Sequence, residues 1–134
     1  MRRKPSAREF KRRVNEFNQD CVRHWNSHNL EIFLEGYAAD ASYLTAQGIV
    51  RGRRAIGEIY NQQYANRAQM GIMSVRLLKL RVPRLPPGVG VTMGVGMVKC
   101  VSTKPDSPPT EEYSMVTYEL LPNGEICITQ DASL

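Results

Sequence analysis

A chain of 134 residues with an ordinary apolar fraction can bury one core, needs no disulfide or structural metal to hold it, and is too short for two comfortable domains. Its apolar runs are only a few residues long, against the roughly 18 to 20 needed to cross a bilayer, so no membrane span is expected. The formal charge of +5 is unevenly spread. Arg2, Arg3, Lys4, Arg8, Lys11, Arg12 and Arg13 are opposed within residues 1–13 only by Glu9, which leaves the remainder close to neutral.

A basic end on a neutral body differs from a basic groove. Residues 1–7 are expected to be a tail and residues 8–134 a single domain. The tail suits nucleic acid, an acidic partner or a membrane surface, or simply solvation. No apolar stretch follows Met-Arg-Arg-Lys-Pro-Ser, so a secretory signal fails its second requirement. The Arg-rich opening has the composition of a mitochondrial transit peptide, yet it runs straight into the first helix, and a cytoplasmic protein is expected. Cys21, Cys100 and Cys127 are odd in number and sit in apolar patterns, as reduced buried thiols do.

Residues 7–27 read as an amphipathic helix, with Phe10, Val14, Phe17 and Cys21 on one stripe that Val22 and Trp25 widen. Asn29 is the cap of a second, short helix whose stripe is Leu30, Phe33, Leu34 and Tyr37. Residues 41–44 and 48–51 are short extended pieces. Ile56, Ile59, Tyr60, Gln63 and Tyr64 give a third helix from Arg53, fading near residues 69–71.

The period then changes to two. Residues 72–82, 91–101, 112–121 and 125–133 read as strands, with Pro122-Asn123-Gly124 as a tight turn between the last two. The prolines collect in residues 85–90 and 102–110, which read as loops. On the strand at 91–101, Val91, Met93, Val95 and Met97 share one face, and Thr92, Gly94, Gly96 and Val98 the other. Two glycines on one strand face require either a closely packed helix or a bend beside a hollow. The expected class is α+β: three N-terminal helices layered on an antiparallel sheet.

Trp25-Asn26-Ser27-His28-Asn29-Leu30, Tyr37-Ala38-Ala39-Asp40-Ala41, the run from Gly48 to Ile56, and the ending from Asn123 to Ser133 together carry a likeness. In that order and spacing they resemble nuclear transport factor 2-like domains over roughly residues 8–133, and within them the SnoaL-like branch with its uncharacterised small members. The resemblance implies a cone in which a curved sheet wraps three helices, open at one end and often dimerising through its outer face. The superfamily holds ketosteroid isomerase, polyketide cyclases, scytalone dehydratase and limonene epoxide hydrolase. It also holds the non-catalytic transport factor and kinase association domains, so the fold leaves the chemistry undecided.

Tested residue by residue, the isomerase pattern fails. Thr45 stands where its carboxylate base would be and Cys21 where its phenol would be, and neither performs that proton transfer. The Asp-Arg-Asp set of the epoxide hydrolases has no counterpart. Asp131 is the best remaining acid. On the last strand it shares a face by parity with Cys127, Thr129 and Ser133, and an inward carboxylate would carry a raised pKa. His24 is the second candidate for catalysis. Cys21, His24 and His28 have helical ligand spacing, but no fourth ligand accompanies them and the resemblance puts His28 in a turn, so no metal is expected and no cofactor is assigned.

Trp25, Tyr43, Tyr60, Tyr64 and Tyr113 offer apolar rings with polar tips for a pocket, Tyr60 and Tyr64 as the preferred pair, with Met97 beside them. Three functions stay open. The first is a pocket for a small apolar ligand with acid–base chemistry. The second is a non-catalytic homodimer or scaffold. In the third, the tail delivers the domain to nucleic acid.

Overall fold

The computed structural model describes residues 4–133. Arg2 and Arg3 of the basic stretch therefore lie outside the described residues. Helix α1 (Ala7–Asn26) starts at Ser6, whose hydroxyl accepts from the Glu9 amide, and buries Phe10, Val14, Asn18 and Trp25 along one face. The expected tail is not wholly separate: Pro5 is buried and its carbonyl accepts from the Val91 N–H at 2.7 Å. Along α1, Arg12 pairs with both Glu9 and Glu16, and Arg13 with Glu9, so part of the basic stretch is neutralised locally.

Helix α2 (Leu30–Leu34) is capped by the Asn29 side chain, as its sequence predicts. It is shorter than its stripe implies. Tyr37 opens strand β1 (Tyr37–Thr45) instead of closing the helix. Gly36 marks the change of course, because a Cβ there would stand 3.1 Å from the Phe17 ring. Strand β2 (Gly48–Arg51) returns along β1, and α3 (Arg53–Gln63) follows, ending before a separate 3-10 turn over Arg67–Met70.

Strands β3 (Ile72–Arg81), β4 (Met93–Thr103), β5 (Thr110–Leu120) and β6 (Ile126–Ser133) form the antiparallel meander that the period-two pattern predicts. The full sheet has six strands in the order β2-β1-β6-β5-β4-β3, curved and unclosed, with β1 running parallel to β6. The α+β cone expected from the sequence is the observed architecture.

The interior has two apolar clusters. Phe10, Val14, Val91, Val98, Val116 and Tyr118 make one, where the start of α1 lies on the sheet. Trp25, Leu30, Leu34, Tyr37, Ile56, Tyr64 and Met70 contribute to the other, among the helices and β1. The glycines of β4 make room for close neighbours, α1 at Gly94 and side chains of the flanking strands at Gly96. A Cβ on Gly94 would come within 3.1 Å of the Phe10 ring, and one on Gly96 within 2.8 Å of the Tyr118 ring. Of the two reasons a glycine face permits, close packing is the one that holds at these positions.

Candidate functional site

Beyond Gly96 the inner face of β4 continues as Val98, Cys100 and Ser102, and a cavity of about 490 Å³ opens between the two clusters. Its size lies in the range of small-molecule sites. One wall is aromatic. Trp25 meets Phe33, Tyr60 and Tyr64 edge-on, with the Phe33 centroid 4.9 Å and the Tyr64 centroid 5.1 Å away. The Trp25 indole N–H donates to the Met70 carbonyl at 2.9 Å, which fixes the ring. The rings therefore hold one another in place, and their apolar area faces a hollow.

Asp131 stands in that hollow because of a β-bulge. Tyr118 pairs with Ile128 but its neighbour Thr117 pairs with Gln130, so Thr129 is an extra residue in β6. Simple parity fails there. Asp131 shares the cavity with Ile128 and Ser133, whereas Cys127 and Thr129, its expected companions, do not line it. Gln130 instead meets the Thr117 hydroxyl, 3.1 Å away.

The Asp131 carboxylate is held on one side only. Oδ2 accepts from the Tyr37 hydroxyl at 2.9 Å, and the Tyr60 hydroxyl lies 3.4 Å from that of Tyr37. Oδ1 is buried without a hydrogen-bond partner among the described residues. Burial pushes the pKa up to about 6, against the pull of the Tyr37 hydroxyl and with a further push from Glu112. The same burial drives the Tyr37 and Tyr60 phenols well above their ordinary value, so both remain donors at neutral pH. Beyond them Tyr43 lines the cavity, and the Ser114 and Ser133 hydroxyls meet at 3.1 Å.

The sequence candidates thus divide. Asp131, Trp25, Tyr43, Tyr60 and Tyr64 converge on one cavity. Met97 and Tyr113 do not. They lie opposite the inward Val98 and Ser114, on the outer face of the sheet, each about half exposed. His24 is also elsewhere, in a surface cleft with Glu16, Asp20 and Glu35, because it sits about a quarter-turn round α1 from Trp25. His28 occupies a left-handed turn with φ 57° and its Nε2 lies 3.1 Å from the Gly71 carbonyl. Among the described residues no group of three or more His, Cys, Asp or Glu is placed to hold a metal ion. The cavity-lining thiols are unreactive at neutral pH, since burial raises Cys21 to about 12 and Cys100 to about 11.

Tyr37 and Asn18 are among the lining residues that the sequence does not mark as site candidates. Tyr37 was assigned to a helix stripe, although it is the direct partner of Asp131. Asn18 lies four residues after Val14 on the buried face of α1, and its signal is the interruption itself: an amide inside an apolar stripe.

A curved, unclosed sheet wrapped on three helices is the fold of nuclear transport factor 2-like and cystatin-like structures. No family sequence model matches the chain, and no curated protein matches it. Solved structures do. An NTF-2-like protein of unknown function from Shewanella oneidensis superposes with a TM-score of 0.79 at 12% identity, over 92% of this chain and 97% of its own. A protein from Catenulispora acidiphila in complex with S-DNPA gives 0.68 at 10% identity, over 92% and 91%. ActVI-ORFA from Streptomyces coelicolor gives 0.67 at 8% identity, over 93% and 96%. At such identities the likeness is one of fold.

Proposed function

We propose that the chain is a SnoaL-like small-molecule binder whose cavity takes a largely apolar compound, with Asp131 as its general acid–base. The observation that carries this reading is the half-held carboxylate: one oxygen on Tyr37, the other free to meet a ligand. With a pKa near 6 the group changes charge close to neutrality, where a general base or acid is most effective. The neighbour bound to S-DNPA supports ligand occupancy of such a cone without naming the ligand here. The cytoplasm is the compartment we assign.

As a base, Asp131 would take a proton from carbon next to a carbonyl, the electron pair passing to the oxygen as an enolate; the carboxyl then trades that proton for a solvent deuteron and returns the deuteron to carbon. The test is exchange of the α-protons of β-tetralone in deuterated buffer, followed by NMR. Exchange above the buffer rate is expected, rising as pH passes through about 6 because the base must be ionised. Asp131→Asn should return it to the buffer rate. An Asn variant exchanging as fast as the wild type would end the catalytic half of the reading.

A homodimer through the outer sheet face is a second, compatible reading. Met93, Met97, Tyr113 and Met115 are all exposed large side chains on neighbouring strands β4 and β5. Sedimentation of the wild type and of Met97→Glu checks it. A wild-type monomer at micromolar concentration would remove the scaffold alternative.

A further inference from the structure

Asp131 Oδ1 is one of two buried side-chain polar atoms without a hydrogen-bond partner among the described residues. The other is Nδ2 of Asn18, a residue only 6% exposed. Both line the same cavity. The Asn18 amide is oriented by its opposite end, since the buried Tyr118 hydroxyl donates to Oδ1 at 3.0 Å. An amide N–H left unpaired in an apolar interior costs about 1 to 3 kcal/mol. Leu in that stripe would pack without this cost, so the position asks for a ligand acceptor.

We infer that Asn18 is a second polar anchor of the cavity, donating from Nδ2 to a carbonyl oxygen of a flat ligand that is not an anion. This rests on the binding reading above and deepens it by naming the ligand class. Flatness follows from the aromatic wall, whose rings leave faces and edges rather than a round pocket. That the ligand is no anion follows from charge. Lys104 is the one cation among the described residues lining the cavity, and it already lies 5.1 Å over the Tyr64 ring. Asp131 and Glu112 on the same lining would repel an anion. A carbonyl offers two lone pairs and no proton, which suits Nδ2 and would not suit Asp131 Oδ1. The two anchors therefore read different groups of one molecule.

The test compares three naphthalenes by titration calorimetry. β-Acetonaphthone offers a carbonyl, β-ethylnaphthalene has nearly the same shape without it, and β-naphthol offers a hydroxyl donor. Wild-type protein should prefer the ketone to the hydrocarbon by about tenfold, the worth of one buried hydrogen bond. Asn18→Leu should abolish that preference and change β-naphthol affinity less than twofold. Tyr118→Phe, which keeps Nδ2, should retain the preference, separating the anchor from the Asn18–Tyr118 bond. Equal affinity of the wild type for ketone and hydrocarbon overturns the proposal, and needs no variant to fold. So does a loss in Asn18→Leu that falls on β-naphthol instead of the ketone. If none of the three compounds binds the wild type, the binding reading falls and takes this one with it.

Discussion

Strand β4 passes through two unlike environments on one face. At Gly94 and Gly96 the interior is so full that no side chain fits, because the Phe10 and Tyr118 rings occupy the space. From Val98 to Ser102 the same face borders a cavity of about 490 Å³. The full end gains from dispersion and burial. The hollow end gives up those contacts and carries a carboxylate and an amide with unpaired atoms. Dense packing is concentrated at one end and unpaired polar atoms at the other, on one continuous sheet.

That contrast can be broken most forcefully at the full end. Gly96→Val would press its Cβ against the Tyr118 ring and the Leu77 methyl, both under 3 Å away. A loss of about 3 kcal/mol is expected, read from the urea midpoint. The hollow end should respond in the opposite sense. Asp131→Asn removes a charge that burial disfavours, and should stabilise by about 2 kcal/mol at pH 8.

The sign at Asp131 runs against the usual carboxylate. Its folded pKa, about 6, lies above the unfolded value near 3.8. The folded state binds the proton more tightly, so its stability is full below pH 3.8 and declines as pH rises to about 6. The advantage of Asp131→Asn should therefore be nearly absent at pH 3.5 and complete above pH 7. Equal gains at both pH values would refute the assignment of a buried, raised carboxyl.

Smaller effects sharpen the same contrast. Tyr37→Phe removes the hydroxyl that holds the Asp131 pKa down, so the midpoint of β-tetralone exchange should move to higher pH. Val75→Phe adds a ring where Val75 lines the cavity and should change stability by less than about 1 kcal/mol while blocking β-naphthol. A large loss there would mean that the cavity is less accommodating than its volume.

The fold was legible where periodicity is local. The stripe Phe10, Val14, Cys21, Trp25 and the alternation of β4 each state an element and its buried side. The glycine face of β4 also signalled a close approach. What depended on distant pairing was hidden. Tyr37 fits the spacing of α2 as well as it fits β1, and pairing with distant β6, including the Ile128 N–H bonded to the Gly36 carbonyl at 2.8 Å, draws this stretch into the sheet. Met97 and Tyr113 have the chemistry of pocket residues, but their strand parity places them outside. Asp131 was found for a reason that proved incomplete: its acidity and position were readable, its facing was not.

That facing hangs on the additional residue at Thr129. Interior and exterior alternate along β6 like odd and even numbers, and one inserted position exchanges them for everything downstream. A relative of the same length whose last strand runs without the bulge could share the whole cone and still carry its acid on the outside. Gaps shifted by a single place in that strand would then equate a group in the hollow with one in solvent. The facing of such a carboxylate can change through strand register alone, with every neighbouring amino acid unchanged.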